Sequence, residues 1–350
     1  MVGKTSLFTI LTGVQSESRI GFDCPCAPAL PACPTTAWKR SANSSGRRRS
    51  RMRPWNTSTL PSISKESLRD PSYLASLRVV DAFAHVLRLF GDETVPHEKG
   101  SVDPLRDMGD VETELILSDL MVVEKRLERL DKDRKKIKNP ELDREFELLE
   151  KCKALLESDQ PLRQIELDAD DEKRLRGFQF LSQKPMLYVL NIGEDEAAKL
   201  HDREREYPRK GRLRDARIPP PARSAVKWRP NSPSLPREEQ RDYLASYGLN
   251  ESGLERLISA TYSLLGLMSF LTAGEDECRA WTIPMNTPAA KAAGAIHSDF
   301  EKKFIRAEVV NWKALVDHGG YAGVREKGLL RLEGKEYIVK DGDVLVIRHS

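Results

Sequence analysis

The chain has 350 residues, 39% hydrophobic and 32% charged, enough for two or three domains with cores of their own. Its 57 basic and 54 acidic residues leave a net charge of only +3, which makes no case for nucleic acid, and no apolar run approaches the roughly twenty residues of a membrane span, so a soluble protein is expected. Five cysteines, Cys24, Cys26, Cys33, Cys152 and Cys278, are odd in number and lack paired CxxC spacing, which disfavours a disulfide framework and a zinc site; with no signal-peptide succession at the N-terminus, a cytoplasmic location is expected.

The opening MVGKTSLFTIL sets Gly3, Lys4, Thr5 and Ser6 ahead of an apolar helix face. These residues read as the end of a phosphate-binding loop, whose full form is a glycine, four residues, then Gly-Lys-Ser/Thr between a buried strand and a helix. Backbone amides and the lysine cradle phosphates in such a loop. The strand and first glycine are missing, so the chain opens in mid-motif. Residues 21–59 are dominated by Pro, Ser, Cys and Arg and carry no helical or alternating apolar period, as in a linker. Residues 81–90 (DAFAHVLRLF) form an apolar run of strand length, suited to a parallel sheet buried on both faces.

Between residues 111 and 138, Ile116, Leu120, Val123, Leu127, Leu130 and Ile137 fall at three-and-four spacing on a charged background, which predicts a helix with one apolar face. Asn139 and Pro140 break it, and Leu142, Phe146, Leu149, Cys152 and Leu156 resume the spacing as far as Pro161. An antiparallel helical hairpin follows, with a first arm on the order of 40 Å at about 1.5 Å per residue and solvated outer faces. Residues 184–190 (KPMLYVL) are a second buried-strand run feeding a polar loop of Asn191, Ile192, Gly193 and Glu194. Such loops at the carboxyl ends of parallel strands are where these sheets bind ligands. Residues 202–236 again lose all periodicity, and 238–267 return to an amphipathic helical pattern. From 267 on, the pattern predicts a compact α+β unit. It has a strand at 279–283, Thr287 as an N-cap with Pro288 in the first helical turn, and a closing hairpin of 337–339 and 344–347 around Asp341 and Gly342.

The segments RVVDAFAHVLRLF, VETELILSDL, LEKCKALLE, LSQKPMLYVLNIGEDE, LLGLMSFLTAG, RAWTIP, GAIHSDFEKKFIRAEVV and EGKEYIVKDGDVLV occur in that order. With them the chain resembles the YchF subfamily of Obg-related GTPases, also known as Obg-like ATPases, over most of residues 60–200 and 238–350. The resemblance implies an α/β P-loop NTPase domain with a mostly parallel sheet over 1–110 and 175–266. An antiparallel helical hairpin is inserted at 111–174, and a C-terminal α+β domain of the β-grasp, TGS-like kind covers 267–350. It further implies hydrolysis of ATP or GTP with Mg2+ and a ribosome-associated or regulatory role. The implied partners are nucleotide and ribosome or RNA, with no membrane and no DNA. Gly3, Lys4 and Thr5, followed by Ser6, match the end of the phosphate loop, with the Thr5 hydroxyl for Mg2+. Asn191, Ile192 and Glu194 match the base-reading loop, where guanine-specific relatives carry Asn, Lys, any residue, Asp. Ile192 in place of the lysine and Glu194 in place of the aspartate weaken guanine selectivity and leave ATP and GTP both open. No residue for water activation is assigned.

Residues 21–59 and 202–236 coincide with two places where that family has recognisable sequence. Tryptophan has a single codon, which allows a test. Moving the frame one base upstream over residues 54–59 (PWNTST) gives codons compatible with Val-Glu-Tyr-Val-Asp, the strand ahead of the second switch. The same shift over residues 227–236 (KWRPNSPSLP) is compatible with Val-Glu-Ala-Glu-Leu-Ala-Glu-Leu, close to the family's sequence beside its fifth nucleotide motif. Both stretches read as compensated frameshifts and are expected to lack regular structure. The Cys24, Cys26 and Cys33 cluster and the run of Arg47, Arg48, Arg49, Arg51 and Arg53 are then accidents of frame. Leu60, Pro61 and Ser62 stand where the family has Ala, Gly, Leu, removing a glycine amide that senses the γ-phosphate. Two further classes stay open: a ribosome- or RNA-binding module without turnover, and a defective product of a frameshifted gene. His297, Ser298 and Asp299 are consecutive and cannot converge as a catalytic relay, so a structural turn is expected there; His85 and His97 read as packing or loop residues.

Overall fold

The computed structural model describes residues 63–91, 97, 99–192 and 253–350, apart from 65, 275 and 276. It also gives the backbone of the short strands Ile20–Gly21 (β1), Arg49–Arg51 (β2), Asn56–Thr57 (β3) and, further on, Arg223–Lys227 (β6). The chain divides into two compact units, residues 1–6 with 59–253 and residues 7–58 with 254–350. Among the described residues no helix is long and apolar enough to cross a membrane.

In the first unit, the Asp70 carboxylate accepts from Ser72 N at 2.8 Å and starts helix α1 (Pro71–Val79), with proline in its first turn. Strand β4 (Phe83–Arg88) pairs parallel with β5 (Met186–Ile192), whose other edge carries β6, also parallel. All seven β5 residues are buried, as a parallel strand covered on both faces requires. One face of the sheet, Phe83, Leu87, Met186, Tyr188, Leu190 and Ile192, packs with Tyr73 and Leu77 of α1 and with Met108 and Leu115 of helix α2 (Pro104–Arg134).

Helix α2 begins at Pro104, ahead of the expected start near 111, because Asp103 accepts from Leu105 N and Arg106 N at 3.2 and 3.1 Å. Its 31 residues span ~46 Å at about 1.5 Å per residue. Asn139 both breaks the pattern and caps helix α3 (Pro140–Glu157), its side chain accepting from Glu141 N at 3.0 Å. The ion pairs Arg134–Asp143, Arg126–Glu145 and Glu124–Lys153 step in opposite directions along the two helices, which therefore run antiparallel. Between them lies a seam of Ile116, Val123, Leu127 and Leu130 against Leu148, Leu149, Cys152 and Leu156, closed by Leu162, Phe180 and Leu175, the last from helix α4 (Ala169–Arg176). Each such leucine contributes about 1.5–3 kcal/mol of burial. Ile137, expected in this seam, is 62% exposed, since α2 ends before it.

The second unit runs α5 (Gly253–Leu264), β7 (Leu267–Ala273), β8 (Glu277–Pro284), α6 (Ala289–Ile296), α7 (Ser298–Lys302), β9 (Phe304–Asn311), α8 (Trp312–Asp317), α9 (Tyr321–Glu326), β10 (Arg331–Glu333) and β11 (Asp343–His349). Gly266, at φ +61°, makes the turn from α5 into β7. The sheet order is β10-β9-β11-β7-β8-β2, with β11–β7 and β2–β8 parallel and the rest antiparallel. Strand alternation gives it two buried faces. Met268, Phe270, Ala307, Val309 and Leu345 meet the small residues Ala289, Ala292 and Ala293 of α6 on one face. Leu271, Val310 and Val344 meet Leu315 of α8 and Val324 of α9 on the other.

Two expectations about this unit are corrected. The closing hairpin does not form: residues 337–339 make an isolated bridge to Pro288, and β11 pairs instead with β9 and β7. The turn at 340–343 is instead closed on itself, Asp343 N donating to Lys340 O at 3.1 Å while its Oδ2 accepts from Lys340 N at 2.9 Å and from the Tyr337 hydroxyl at 2.8 Å. Pro288 is the cap of α6 and not part of its first turn, while the Thr287 hydroxyl donates to Pro284 O at 2.6 Å. The expectation of no regular structure in 21–59 and 202–236 also fails for β1, β2, β3 and β6. A strand edge is satisfied by backbone groups, whatever side chains accompany them.

Candidate functional site

Gly3, Lys4, Thr5, Ser6 and Glu194 lie outside the described residues, as do Cys24, Cys26 and Cys33. Asn191 and Ile192 are described, and they are the last two residues of β5 and not loop. The ladder extends through them because Leu89 N donates to Asn191 O at 2.9 Å on one side, while Asn191 and Ile192 register with Val226 and Lys227 of β6 on the other. The two side chains part company by strand alternation. Ile192, 2% exposed, belongs to the apolar core against α1 and α2. Asn191, 4% exposed, lies on the opposite face, side by side with its register partner Arg88.

Arg88 was not singled out by sequence reasoning, although it is the one charged side chain inside the AFAHVLRLF run. It ends β4 at 1% exposure. Its Nε donates to Phe90 O at 3.1 Å, and its guanidinium carbon stands 4.5 Å from the centre of the Phe90 ring. The carboxyl edge of β4 and β5 therefore presents a buried amide and a buried cation together on one face of a parallel sheet. That is the edge at which such sheets bind ligands.

Behind this edge the sheet is fastened to the hairpin by polar groups. Glu112 of α2 accepts from Arg163 Nη1 at 2.7 Å and from the Tyr188 hydroxyl of β5. Burial first, and then the Glu112 charge, hold the Tyr188 hydroxyl well above its usual pKa. Asp119 accepts from Leu181 N, Ser182 N and Ser182 Oγ at 2.9, 2.7 and 2.6 Å. Lys184 donates to Arg78 O and Val80 O at 2.7 and 2.5 Å, and its burial lowers the ammonium pKa. His97 sits 3.0 Å from Asp107 in the first turn of α2, and the His85 ring lies 6.0 Å from that of Tyr188. His297 caps α7, accepting from Asp299 N at 3.2 Å, in keeping with a structural turn. Among the described residues no group of three or more His, Cys, Asp or Glu is placed to hold a metal ion.

A family model named YchF-GTPase_C, described as a protein of unknown function (DUF933), matches residues 267–350. The chain is 42% identical over 283 residues to the ribosome-binding ATPase YchF of Bacillus subtilis (strain 168), covering 79% of this chain and 75% of that protein. To the protein of the same name from Pasteurella multocida (strain Pm70) it is 36% identical over 359 aligned positions, 100% of this chain and 96% of that one. To Obg-like ATPase 1 of Caenorhabditis elegans it is 33% identical over 285 residues, 80% and 70%. Among solved structures it is similar to the Schizosaccharomyces pombe YchF GTPase, with a TM-score of 0.75 at 25% identity over 99% of this chain and 94% of that one.

Proposed function

The chain belongs to the YchF family, and on that premise we propose that it binds ATP or GTP at the carboxyl edge of β4 and β5, hydrolyses it with Mg2+, and works in the cytoplasm on the ribosome. The observation that carries this reading is the parallel register that sets Asn191 beside Arg88 at that edge. The relatives named ribosome-binding ATPase support the partner. In this reading Lys4 and the backbone amides of Gly3 to Ser6 hold the phosphates, and Asn191 and Glu194 face the base. Thr5 supplies a hydroxyl oxygen of the kind Mg2+ accepts alongside phosphate oxygens and water. When bound, Mg2+ neutralises charge on the phosphates. The domain limits proposed are 1–110 with 175–266 for nucleotide, 111–174 for the hairpin and 267–350 for the TGS-like unit. A second reading, a ribosome-binding module without turnover, is favoured by Leu60, Pro61 and Ser62 at the γ-phosphate sensor.

Calorimetric titration with ATP and GTP in Mg2+ tests the site on this chain, on a frame-restored counterpart and on the Lys4→Ala variant of each. The frame-restored protein is expected to bind ATP at least as well as GTP, the chain as it stands weakly or not at all, and both Lys4→Ala variants not at all. Undiminished affinity in Lys4→Ala would overturn the loop assignment. A hundredfold preference for GTP, about 2.7 kcal/mol, would overturn the base assignment, and binding without phosphate release would select the second reading.

A further inference from the structure

Arg88 heads the fully buried side chains of the described residues by volume. Removing a guanidinium from water costs several kcal/mol unless fixed groups receive it, so a sheet core keeps one where its geometry orders something. Here the ordered object is the segment that follows β4. Phe90 meets Arg88 twice, its carbonyl accepting from Nε and its ring lying beneath the guanidinium carbon. Between them, Leu89 N is tied to Asn191 O. The last residue of β4 thus holds Phe90, two residues on, while Leu89 between them is bonded to the backbone of the buried Asn191 at the end of β5. Ile192 cannot share the task, because its side chain is committed to the core on the other face.

We infer that Arg88 is a positioning residue for recognition of the nucleotide base: by holding the Leu89–Phe90 segment beside β5 it fixes the direction of Asn191, and with it base affinity but not phosphate affinity. This rests on the nucleotide reading above. Lysine at this position keeps the charge and loses both the planar stacking and the fork of donors, so Arg88→Lys separates geometry from charge; Arg88→Met removes both.

The test compares ATP, GTP and inorganic tripolyphosphate, which has phosphates and no base, on the full chain and its frame-restored counterpart. Thermal unfolding of each variant is followed alongside. In Arg88→Lys, ATP affinity is expected to fall about tenfold with a changed ATP-to-GTP ratio, while tripolyphosphate affinity stays the same and the protein stays folded. Equal losses for ATP and tripolyphosphate, or no loss for either, overturn the inference even if Arg88→Met fails to fold. A frame-restored parent that binds none of the three overturns the nucleotide reading itself, and the inference falls with it.

Discussion

At the root of the hairpin Asp119 is buried with three donors converging on its two oxygens from Leu181 and Ser182. At the carboxyl edge of β4, Arg88 is buried against the carbonyl and ring of Phe90, two residues along its own chain. The first charge joins segments more than sixty residues apart in sequence and is enclosed by backbone donors. The second orders the segment just after its own strand, at an edge where parallel sheets take ligands. The difference separates a clamp from a positioning group. Removing the clamp should unfold the unit that contains it, whereas removing the positioning group should alter what the unit recognises.

The largest effect that sharpens this comparison is expected for Asp119→Ala. Three buried donors lose their acceptor, at a cost of roughly 3–5 kcal/mol. Urea unfolding should show the first unit melting early while the transition of residues 254–350 is retained; a loss below about 1 kcal/mol would mean that water replaces the carboxylate and no clamp exists. Glu112→Gln should cost less, about 1–3 kcal/mol, because the amide oxygen still accepts from Tyr188 while Arg163 loses its charged partner. The same unfolding curves measure it. A third effect is a dependence on pH. Burial raises the Asp119 carboxyl above its ordinary value, outweighing the lowering by its hydrogen bonds. The folded state therefore holds that proton more tightly than the unfolded one, so the contribution is complete below the ordinary carboxylate value and is lost as pH rises through the folded one. The midpoint of the parent chain should fall relative to that of Asp119→Asn as pH rises through that window; a constant difference would mean that folding leaves the Asp119 pKa unchanged.

How far the sequence revealed this arrangement depended on the range of the contacts. The hairpin was legible because its seam repeats at helical spacing and because Asn139 and Pro140 mark its turn and cap in one place. The β4 and β5 runs were legible as buried strands, but the end of β5 was misplaced, since Asn191 reads as a loop residue until its hydrogen bond from Leu89 is known. The local hairpin predicted around Asp341 and Gly342 lost to a non-local ladder with β9 and β7. Asp119 carried a usable signal: it lies one helical turn from both Ile116 and Val123, on the apolar face of a helix, where an unaccompanied carboxylate is out of place. Arg88 carried the same signal in its strand. In both cases composition marks the anomaly, while the partners that resolve it are set by the tertiary fold.

The smallest effect serves as the control for what burial adds. Arg126 and Glu145 form a bidentate pair across the hairpin at 2.8 and 2.9 Å, geometry as good as that around Asp119. However, the arginine side chain is 34% and the glutamate 19% exposed. Water and salt screen such a pair, and ordering two long side chains offsets part of the attraction, so a coupling of about 0.3–1 kcal/mol is expected. A double-mutant cycle of Arg126→Ala and Glu145→Ala, followed by urea unfolding at low and high salt, measures it, with the coupling falling as salt rises. The Asp119 loss should be nearly indifferent to salt, because its donors are neutral amides and a hydroxyl enclosed by protein. A hairpin pair worth as much as Asp119, or an Asp119 loss that fades equally in salt, would remove burial as the cause and leave hydrogen-bond geometry alone to explain both.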